Sequence, residues 1–440
     1  MRPSARRAAN RGTGTYRGGV RRTLTLLTAL PVAVVLAVPA DAAPAHRADV
    51  PSASTVAHAR NAAAKALAQA HGQAGLVVTL DDGTPLIDFG GSAALPPAST
   101  NKLFSVGTAL LTLGSGHRFT TKVLRTGPAP DASGVLTGDL VLVGGGDPTL
   151  MRSDLTRLAA AVRRAGVRQV TGVLRVDTHI FDTIRGAAGW RSYYVGYESG
   201  PLSAFVVDDN LWRSGDSYKL NPDAGNLALF RGLLKKQGVT IAGGNSTHAP
   251  SVPYAGTVAA HASSTLATIA ARVLRSSNNT EAETLLKDAS LTAASPSARQ
   301  RRGSTAGGLA VERTQAAKLG ITLPSSMFDA SGLSTADYIP TEIVAAWINA
   351  LQSTSIGGAL RAALPLACVN GTLKHRLCGP ATAGKVAAKT GSLDYTAALA
   401  GFAPTKGGRT VIFSVVVTGP AEYYDATALD AAVTAVVNNL

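Results

Sequence analysis

The chain has 440 residues, of which 45% are hydrophobic and 16% charged, with a formal net charge of +15. That balance excludes a disordered polar chain and a single small domain, and allows a large domain carrying an insertion. Aromatic residues make up only 5% and do not interleave with basic ones, so the charge does not indicate nucleic-acid binding.

Residues 1–42 read as a secretory signal peptide. Seven arginines (Arg2, Arg6, Arg7, Arg11, Arg17, Arg21 and Arg22) precede an apolar, uncharged run from Thr23 to Val38, and Ala40-Asp41-Ala42 supplies an A-x-A cleavage site. The run is about 16 residues, short of the roughly 20 that a spanning helix needs; an uncleaved anchor is the alternative reading. Arg21-Arg22 resembles a twin-arginine signal loosely, which leaves the export route open. Seven Arg against one Asp mean that removing the segment takes the charge from +15 to +9. A moderately basic exported protein suits an anionic wall or membrane surface, so an extracytoplasmic, peripherally surface-associated protein is expected.

The Ala/Pro/Ser-rich residues 43–54 read as a linker, and Thr55–Ala70 as a helix. Leu76–Leu80 and Pro85–Phe89 read as strands about an Asp81-Asp82-Gly83 turn. A helix is predicted from about Ser99 to Leu113, with Ser99 or Thr100 as N-cap and Gly114 as its stop. From residue 120 to 257 the texture changes. Short β-rich runs (Gly134–Val143, Val170–Val176) alternate with Gly-rich turns, and helical stretches at Ser153–Arg164 and Asn226–Lys236 interrupt them. This predicts an inserted domain with a smaller piece nested in it. Helical patterns return at Ser264–Arg275, Glu281–Leu291, Leu309–Leu319 and Thr341–Leu351, and the basic stretch Ser295–Ser304 reads as a solvated loop. Three strands (Lys385–Gly391, Ala397–Ala403, Thr410–Thr418) and a helix (Glu422–Val437) follow. Strand-rich ends around helical middles predict an α+β fold, its antiparallel sheet built from 55–119 together with 258–440. Cys368 and Cys378 can form a disulfide or remain two thiols; their spacing, with no nearby His pair, does not indicate a metal. No cofactor is expected.

Three short motifs carry the chemistry. The first is Ser99-Thr100-Asn101-Lys102. Three helical residues turn the chain by roughly 300°, so Ser99 and Lys102 share a face, and the helix N-terminus favours a developing oxyanion at Ser99. A serine hydroxyl needs a base, and Lys102 can serve only if burial and cationic neighbours lower its pKa. Lys102 is the only lysine with a serine three positions before it; alone, the pattern equally describes an ordinary helix cap. The second motif is Ser-x-Asn in an inter-helix turn, readable as Ser276/Asn278 or Ser277/Asn279. Both residue types are common in turns. Functionally, the hydroxyl can relay a proton and the amide can hold a substrate carbonyl and orient the lysine. The third is Lys389-Thr390-Gly391, the only such triplet, on a predicted strand. Its ammonium and hydroxyl suit a substrate carboxylate, and Gly391 admits a substrate backbone to the strand edge. The N–H of Ser392 can join that of Ser99 in an oxyanion hole. A solvated lysine on an edge strand is the alternative.

S-x-x-K, S-D-N and K-T-G together form the signature shared by penicillin-binding proteins and class A β-lactamases. The contexts sharpen the likeness. Pro97 to Leu103, Gly138-Asp139-Leu140-Val141-Leu142-Val143-Gly144-Gly145-Gly146-Asp147-Pro148, Gly200-Pro201-Leu202-Ser203-Ala204, Asp329-Ala330-Ser331-Gly332-Leu333-Ser334, Leu364-Pro365-Leu366-Ala367, Asn370-Gly371-Thr372-Leu373 and Gly384 to Thr390 resemble the D-Ala-D-Ala carboxypeptidase/endopeptidase family, the class C low-molecular-mass penicillin-binding proteins. The resemblance spans nearly the whole chain after the signal. It implies a β-lactamase/transpeptidase-like domain with a large insertion between the first two motifs, which here lie 175 positions apart from Lys102 to Ser277. It selects the Ser277/Asn279 register, because Ala282 and Glu283 follow as in the family. It implies Ser99 as nucleophile, Lys102 as base, Ser277 and Asn279 as relay, and Lys389 with Thr390 as carboxylate binders. Asn101 stands where Gln or Met is frequent, and Ser392 where Thr is frequent. The implied substrate is the D-Ala–D-X bond of peptidoglycan peptides, with β-lactams as inhibitors that acylate the same serine. Two other readings share the scaffold. A β-lactamase or esterase is disfavoured because no E-x-x-L-N stretch and no G-x-S-x-G occur. A non-catalytic penicillin-sensing or wall-binding domain is disfavoured because every catalytic side chain is present.

Overall fold

A computed structural model describes residues 50–212, 217–292, 302–419 and 426–440. The expected signal peptide, linker residues 43–49, most of the Ser295–Ser304 loop and the start of the last helix lie outside them. Helix α1 (Ala53–Ala68) begins inside the expected linker, because Ser52 accepts the Thr55 N–H and caps it. Strands β1 (Gln73–Leu80), β2 (Pro85–Phe89) and β3 (Ala94–Leu95) lead to a single 3-10 turn at Ala98–Asn101, then to helix α2 (Lys102–Leu113). The helix therefore starts three residues later than expected, and neither Ser99 nor Thr100 caps it. Thr100 spends its hydroxyl on the Pro97 carbonyl (2.6 Å). Asn101, at the N-cap position, directs its amide to Asp329 and Asp337.

The next elements are β4 (Thr120–Arg125), β5 (Val135–Leu136), β6 (Leu140–Val143), α3 (Arg152–Arg164), β7 (Gln169–Val170), β8 (Leu174–Asp177), α4 (Pro222–Lys236), β9 (Thr240–Ile241), β10 (Asn245–Ser246) and β11 (Gly256–Ala262). Five of the strands pair in the order β10-β8-β6-β4-β11, and β5-β7-β9 form a small parallel sheet. Because β6 runs parallel to β8, and β8 to β10, each pair needs a crossover, and α3 and α4 provide them. Leu155, Leu158 and Val162 of α3 and Leu227, Phe230 and Leu234 of α4 share one core with Val123, Leu142 and Val176 of the sheet. The last strand pairs antiparallel with β4 as far as Ala262↔Thr120.

The chain continues with α5 (Leu266–Ser276), α6 (Asn279–Ser290), α7 (Thr305–Lys318), β12 (Ile339–Pro340), α8 (Thr341–Gln352), α9 (Gly357–Ala363), β13 (Ala387–Leu393), β14 (Thr396–Pro404), β15 (Thr410–Thr418) and α10 (Thr427–Asn439). The principal sheet has the antiparallel order β13-β14-β15-β1-β2. An early strand is thus zipped to the last one, from Gln73↔Thr418 to Leu80↔Val411. Seven of nine β15 residues are buried, because both faces are covered. Val411, Phe413, Val415 and Val417 share a core with α1 and α10, while Ile412 points into the core built by α2, α5 and α8. The α+β class expected from the sequence is borne out. Cys368 and Cys378 are joined as a disulfide, with Cα atoms 4.8 Å apart, in the segment between α9 and β13. Strand β13 lies at the sheet edge, and its Lys389-Thr390-Gly391 faces the 3-10 turn that carries Ser99.

Candidate active site

Ser99 follows Ala98, whose φ of +46° lies in the left-handed region that a side chain disfavours. Two close glycines hold this turn in place. A Cβ on Gly332 would lie 1.9 Å from the Ala98 carbonyl oxygen, and one on Gly391 would lie 2.9 Å from that of Pro97 and 3.1 Å from Ala98 Cβ. What Gly391 admits in the fold is therefore the Ser99 turn itself, an approach the sequence had assigned to a substrate backbone.

The first nine residues of α2 are all buried, so Lys102 begins a helix without access to water. Its Nζ donates to Ser99 Oγ (2.9 Å), Asn279 Oδ1 (2.7 Å) and the Ser331 carbonyl (2.7 Å). Burial pushes its pKa from 10.5 down to about 8, against the opposing pull of the Asp329 and Glu283 carboxylates. Desolvation does the lowering that the sequence had shared between burial and cationic neighbours.

Helix α5 ends at Ser277, which adopts the left-handed conformation (φ 59°). Asn278 then caps α6 by accepting the Glu281 N–H. Ser276 turns its hydroxyl back to the Arg272 carbonyl (2.7 Å). That leaves Ser277 and Asn279 facing the two lysines, the second of the two registers read in the sequence. Ser277 Oγ accepts from Lys389 Nζ (2.8 Å), and Asn279 Nδ2 donates to the Glu198 carbonyl (2.9 Å). Lys389 is also fully buried and donates to the Thr390 carbonyl (2.7 Å). Burial, and after it the charges of Lys102 and Arg376, holds its pKa well below the ordinary lysine range. Thr390 Oγ1 donates to Thr372 Oγ1 (2.8 Å).

A cavity of about 660 Å³ opens in front of this cluster. Ser99, Ser277, Asn279 and Ser392 line it; Lys102 and Lys389 stand behind that wall, bonded to its hydroxyl and amide groups. The opposite side comes from the segment between β8 and α4, including Arg191, Tyr194 and Glu198, and from Asp394 in the β13–β14 turn. Arg191 and Asp394 form an ion pair at 3.3 Å. Burial raises the Glu198 pKa, and the charge of Asp394 adds to the effect.

Sequence reasoning missed the carboxyls that surround Lys102. Asp329 was visible only as part of a family-like stretch, although Asp ahead of Ser-Gly is itself a side-chain-capped turn signal. Glu283 served only to choose a register. In the fold its Oε1 accepts the N–H groups of Ala330 (2.9 Å) and Ser331 (3.0 Å), and burial, reinforced by Asp329, raises its pKa to about 8.

A buried lysine bonded to a serine beside an antiparallel edge strand, with a second buried lysine on that strand, is the arrangement of a penicillin-binding serine hydrolase. The chain belongs to the D-Ala-D-Ala carboxypeptidase 3 (S13) family, whose profile matches residues 58–215 and 217–440. The family expected from the motifs is borne out, and with it a hydrolase of the D-Ala-D-Ala carboxypeptidase kind. The chain is 28% identical over 423 residues to the D-alanyl-D-alanine carboxypeptidase of Actinomadura sp. (strain R39), covering 78% of this chain and 77% of that one. It is 30% identical over 367 residues to carboxypeptidase DacB of Mycolicibacterium smegmatis, covering 78% and 75%. Among solved structures, penicillin binding protein 4 of Haemophilus influenzae shares the fold with a TM-score of 0.73 at 23% identity, over 84% of this chain and 97% of that one.

Proposed function

We propose that the chain cleaves the D-Ala–D-X bond of peptidoglycan stem peptides outside the cytoplasm, through an acyl-enzyme at Ser99, and that β-lactams acylate the same serine. The observation that carries this reading is the 2.9 Å bond between Lys102 Nζ and Ser99 Oγ, with Asn279 Oδ1 and the Ser331 carbonyl as the amine's other partners. A neutral amine has two hydrogens. Donating them to Asn279 and Ser331 leaves its lone pair aimed at the Ser99 hydroxyl, whose proton it takes as Oγ attacks the D-Ala carbonyl. The N–H groups of Ser99 and Ser392 receive the oxyanion. Ser277, bridging Lys389 and the cavity, gives its proton to the leaving amine as the C–N bond breaks, and Lys389 re-supplies it. The proton that Lys102 took from Ser99 then restores the Lys389–Ser277 side, which leaves Lys102 neutral again; water attacks the ester, gives a proton to Lys102, and Lys102 returns it to Ser99 Oγ as the C–O bond breaks and the shortened peptide departs. The substrate carboxylate is drawn by the Lys389 charge and by the Ser277 and Thr390 hydroxyls rather than by direct contact with the ammonium. Residues 120–257, with a last strand running on to Ala262, are read as an inserted domain that supplies one wall of the cleft. Residues 1–42 act as the export signal, and attachment to the cell surface is peripheral; no helix among the described residues is long and apolar enough to cross a membrane.

Incubation with labelled penicillin followed by peptide mapping, alongside D-Ala release from a stem pentapeptide, tests the proposal. The label is expected on Ser99, and Ser99→Ala is expected to lose both activities. Label on another residue, or D-Ala release by Ser99→Ala, overturns it.

A further inference from the structure

The reaction steps leave a buried carboxyl group close to Lys102 without a task. Asp329 lies in the loop between α7 and β12 and is 1% exposed. Its carboxylate accepts six hydrogen bonds. Oδ1 takes the Gly332 N–H (2.6 Å) and the Asn101 amide (3.2 Å). Oδ2 takes the Trp190 indole (2.7 Å), the Ser331 hydroxyl (2.9 Å) and the N–H groups of Leu333 (2.9 Å) and Ser334 (2.8 Å). The loop is wound around a carboxylate, and it does three things at the site. Its Ser331 carbonyl holds Lys102, its Gly332 abuts the Ala98 carbonyl, and its Leu333 lines the cavity. Trp190 belongs to the other wall, immediately before Arg191, Tyr193, Tyr194, Tyr197 and Glu198.

We propose that Asp329 is a positioning residue, which fixes the Ser331 carbonyl against Lys102 and, through Trp190, ties the tyrosine-lined wall of the cleft to the same loop. One carboxylate thereby aligns the base with the surface that receives the peptide. The proposal rests on the reading of Lys102 as the base of Ser99. If the Ser331 carbonyl shifts, the neutral amine turns one of its hydrogens toward Ser99, and the lone pair no longer faces the proton it must take. An asparagine at 329 cannot replace the carboxylate, because its NH₂ would face N–H donors already packed there. Removing the charge also removes a field that favours protonated Lys102.

Two substitutions separate these roles, each checked for folding by circular dichroism. Asp329→Asn is expected to slow penicillin acylation about a hundredfold, the cost of a misplaced reacting group, and to move the acid limb of the rate's pH profile to lower pH. A purely structural role would lower the active fraction and leave that limb in place. Trp190→Phe keeps an aromatic side chain but removes the pyrrole N–H and with it one charge-assisted hydrogen bond. It is expected to raise KM for the pentapeptide about tenfold, with kcat changed by less than about threefold. A folded Asp329→Asn with an unmoved limb, or a Trp190→Phe with unchanged KM, overturns the proposal. If Asp329→Asn does not fold, Trp190→Phe alone decides. Absence of label on Ser99 in the wild-type enzyme would instead remove the mechanism beneath it.

Discussion

Acylation of Ser99 should rise with pH through a midpoint near 8. Lys102 accepts a proton only as a neutral amine, and burial brings its pKa down to about 8. The desolvated state opposes charge, so the active form appears on the alkaline side of that value. At pH 7 roughly one site in eleven holds the neutral amine, and at pH 9 about ten in eleven, which predicts about a tenfold rise between them. An exposed lysine near 10.4 would be neutral in only about four molecules in ten thousand at pH 7. Burying Lys102 therefore multiplies the competent fraction by roughly two hundred, equivalent to about 3 kcal/mol. The second-order rate constant for a labelled penicillin, measured from pH 6 to 10 at fixed ionic strength, reports this limb directly, because acylation is the step in which Lys102 takes the Ser99 proton. Lys102→Arg serves as the control. Its guanidinium stays charged throughout, so its residual rate should be flat with pH and lower by about a thousandfold. A flat wild-type profile, or a midpoint near that of an exposed lysine, would refute Lys102 as the base.

Gly391→Ala should destabilise the protein by about 1–3 kcal/mol and slow acylation by about ten- to a hundredfold, since the new Cβ would meet the Pro97 carbonyl at 2.9 Å and part β13 from the Ser99 turn; thermal denaturation and Ser99 labelling read the two effects. Gly332→Ala should be worse, because its φ is +77° and its Cβ would sit 1.9 Å from the Ala98 carbonyl oxygen. Reducing the Cys368–Cys378 bond should cost about 3 kcal/mol of stability, the chain-entropy value for a loop of roughly this length, with no thiol titrating in the unreduced, denatured protein. Thr372 lies within that loop and bonds Thr390, so reduction should also raise KM for the pentapeptide.

The principal sheet was readable because its strands announce themselves locally. Thr410–Thr418 was predicted to the residue: a nine-residue β-branched and aromatic run bounded by Gly407-Gly408 and Gly419 has one reading. The motif residues were readable for a different reason, namely that S-x-x-K and K-T-G each occur once. What escaped was burial. Every residue of α6 from Thr280 to Ser290 is buried, yet Glu281, Glu283, Lys287 and Asp288 look in sequence like the polar face of a surface helix. Their partners lie on other elements, most of them far away in the chain. Glu283 meets the N–H groups of Ala330 and Ser331, Lys287 meets Asp182, and Glu281 meets Arg272. No local periodicity encodes such pairings. The same holds for Lys389, whose triplet was plain but whose seclusion behind Ser277 depends on a turn 112 residues earlier. The start of α2 was misread because a capping preference is a local rule, whereas Asn101 and Thr100 answer to tertiary partners.

These buried acids bear on how a lysine can act as a base at all. If Asp329, Glu283 and Asp337 were all ionised around Lys102, their combined field would hold it as an ammonium. Burial prevents this by raising Glu283 to about 8 and Asp337 to about 10, each helped by the charge of Asp329. Six donors point at the Asp329 carboxylate, whereas Glu283 Oε1 has two and its Oε2 has none. Near neutral pH burial therefore leaves Glu283 and Asp337 largely neutral beside the buried Lys102. Burial, and after it the charge of Lys102, lowers the pKa of Lys389, so the two lysines oppose each other's protonation. Lys102 must therefore be neutral before it can take the Ser99 proton, and that form gains ground as the pH rises through about 8. The neutrality of Glu283 and Asp337 thus keeps the neutral Lys102 amine within reach at mildly alkaline pH, where a full set of ionised carboxylates would have held it as an ammonium.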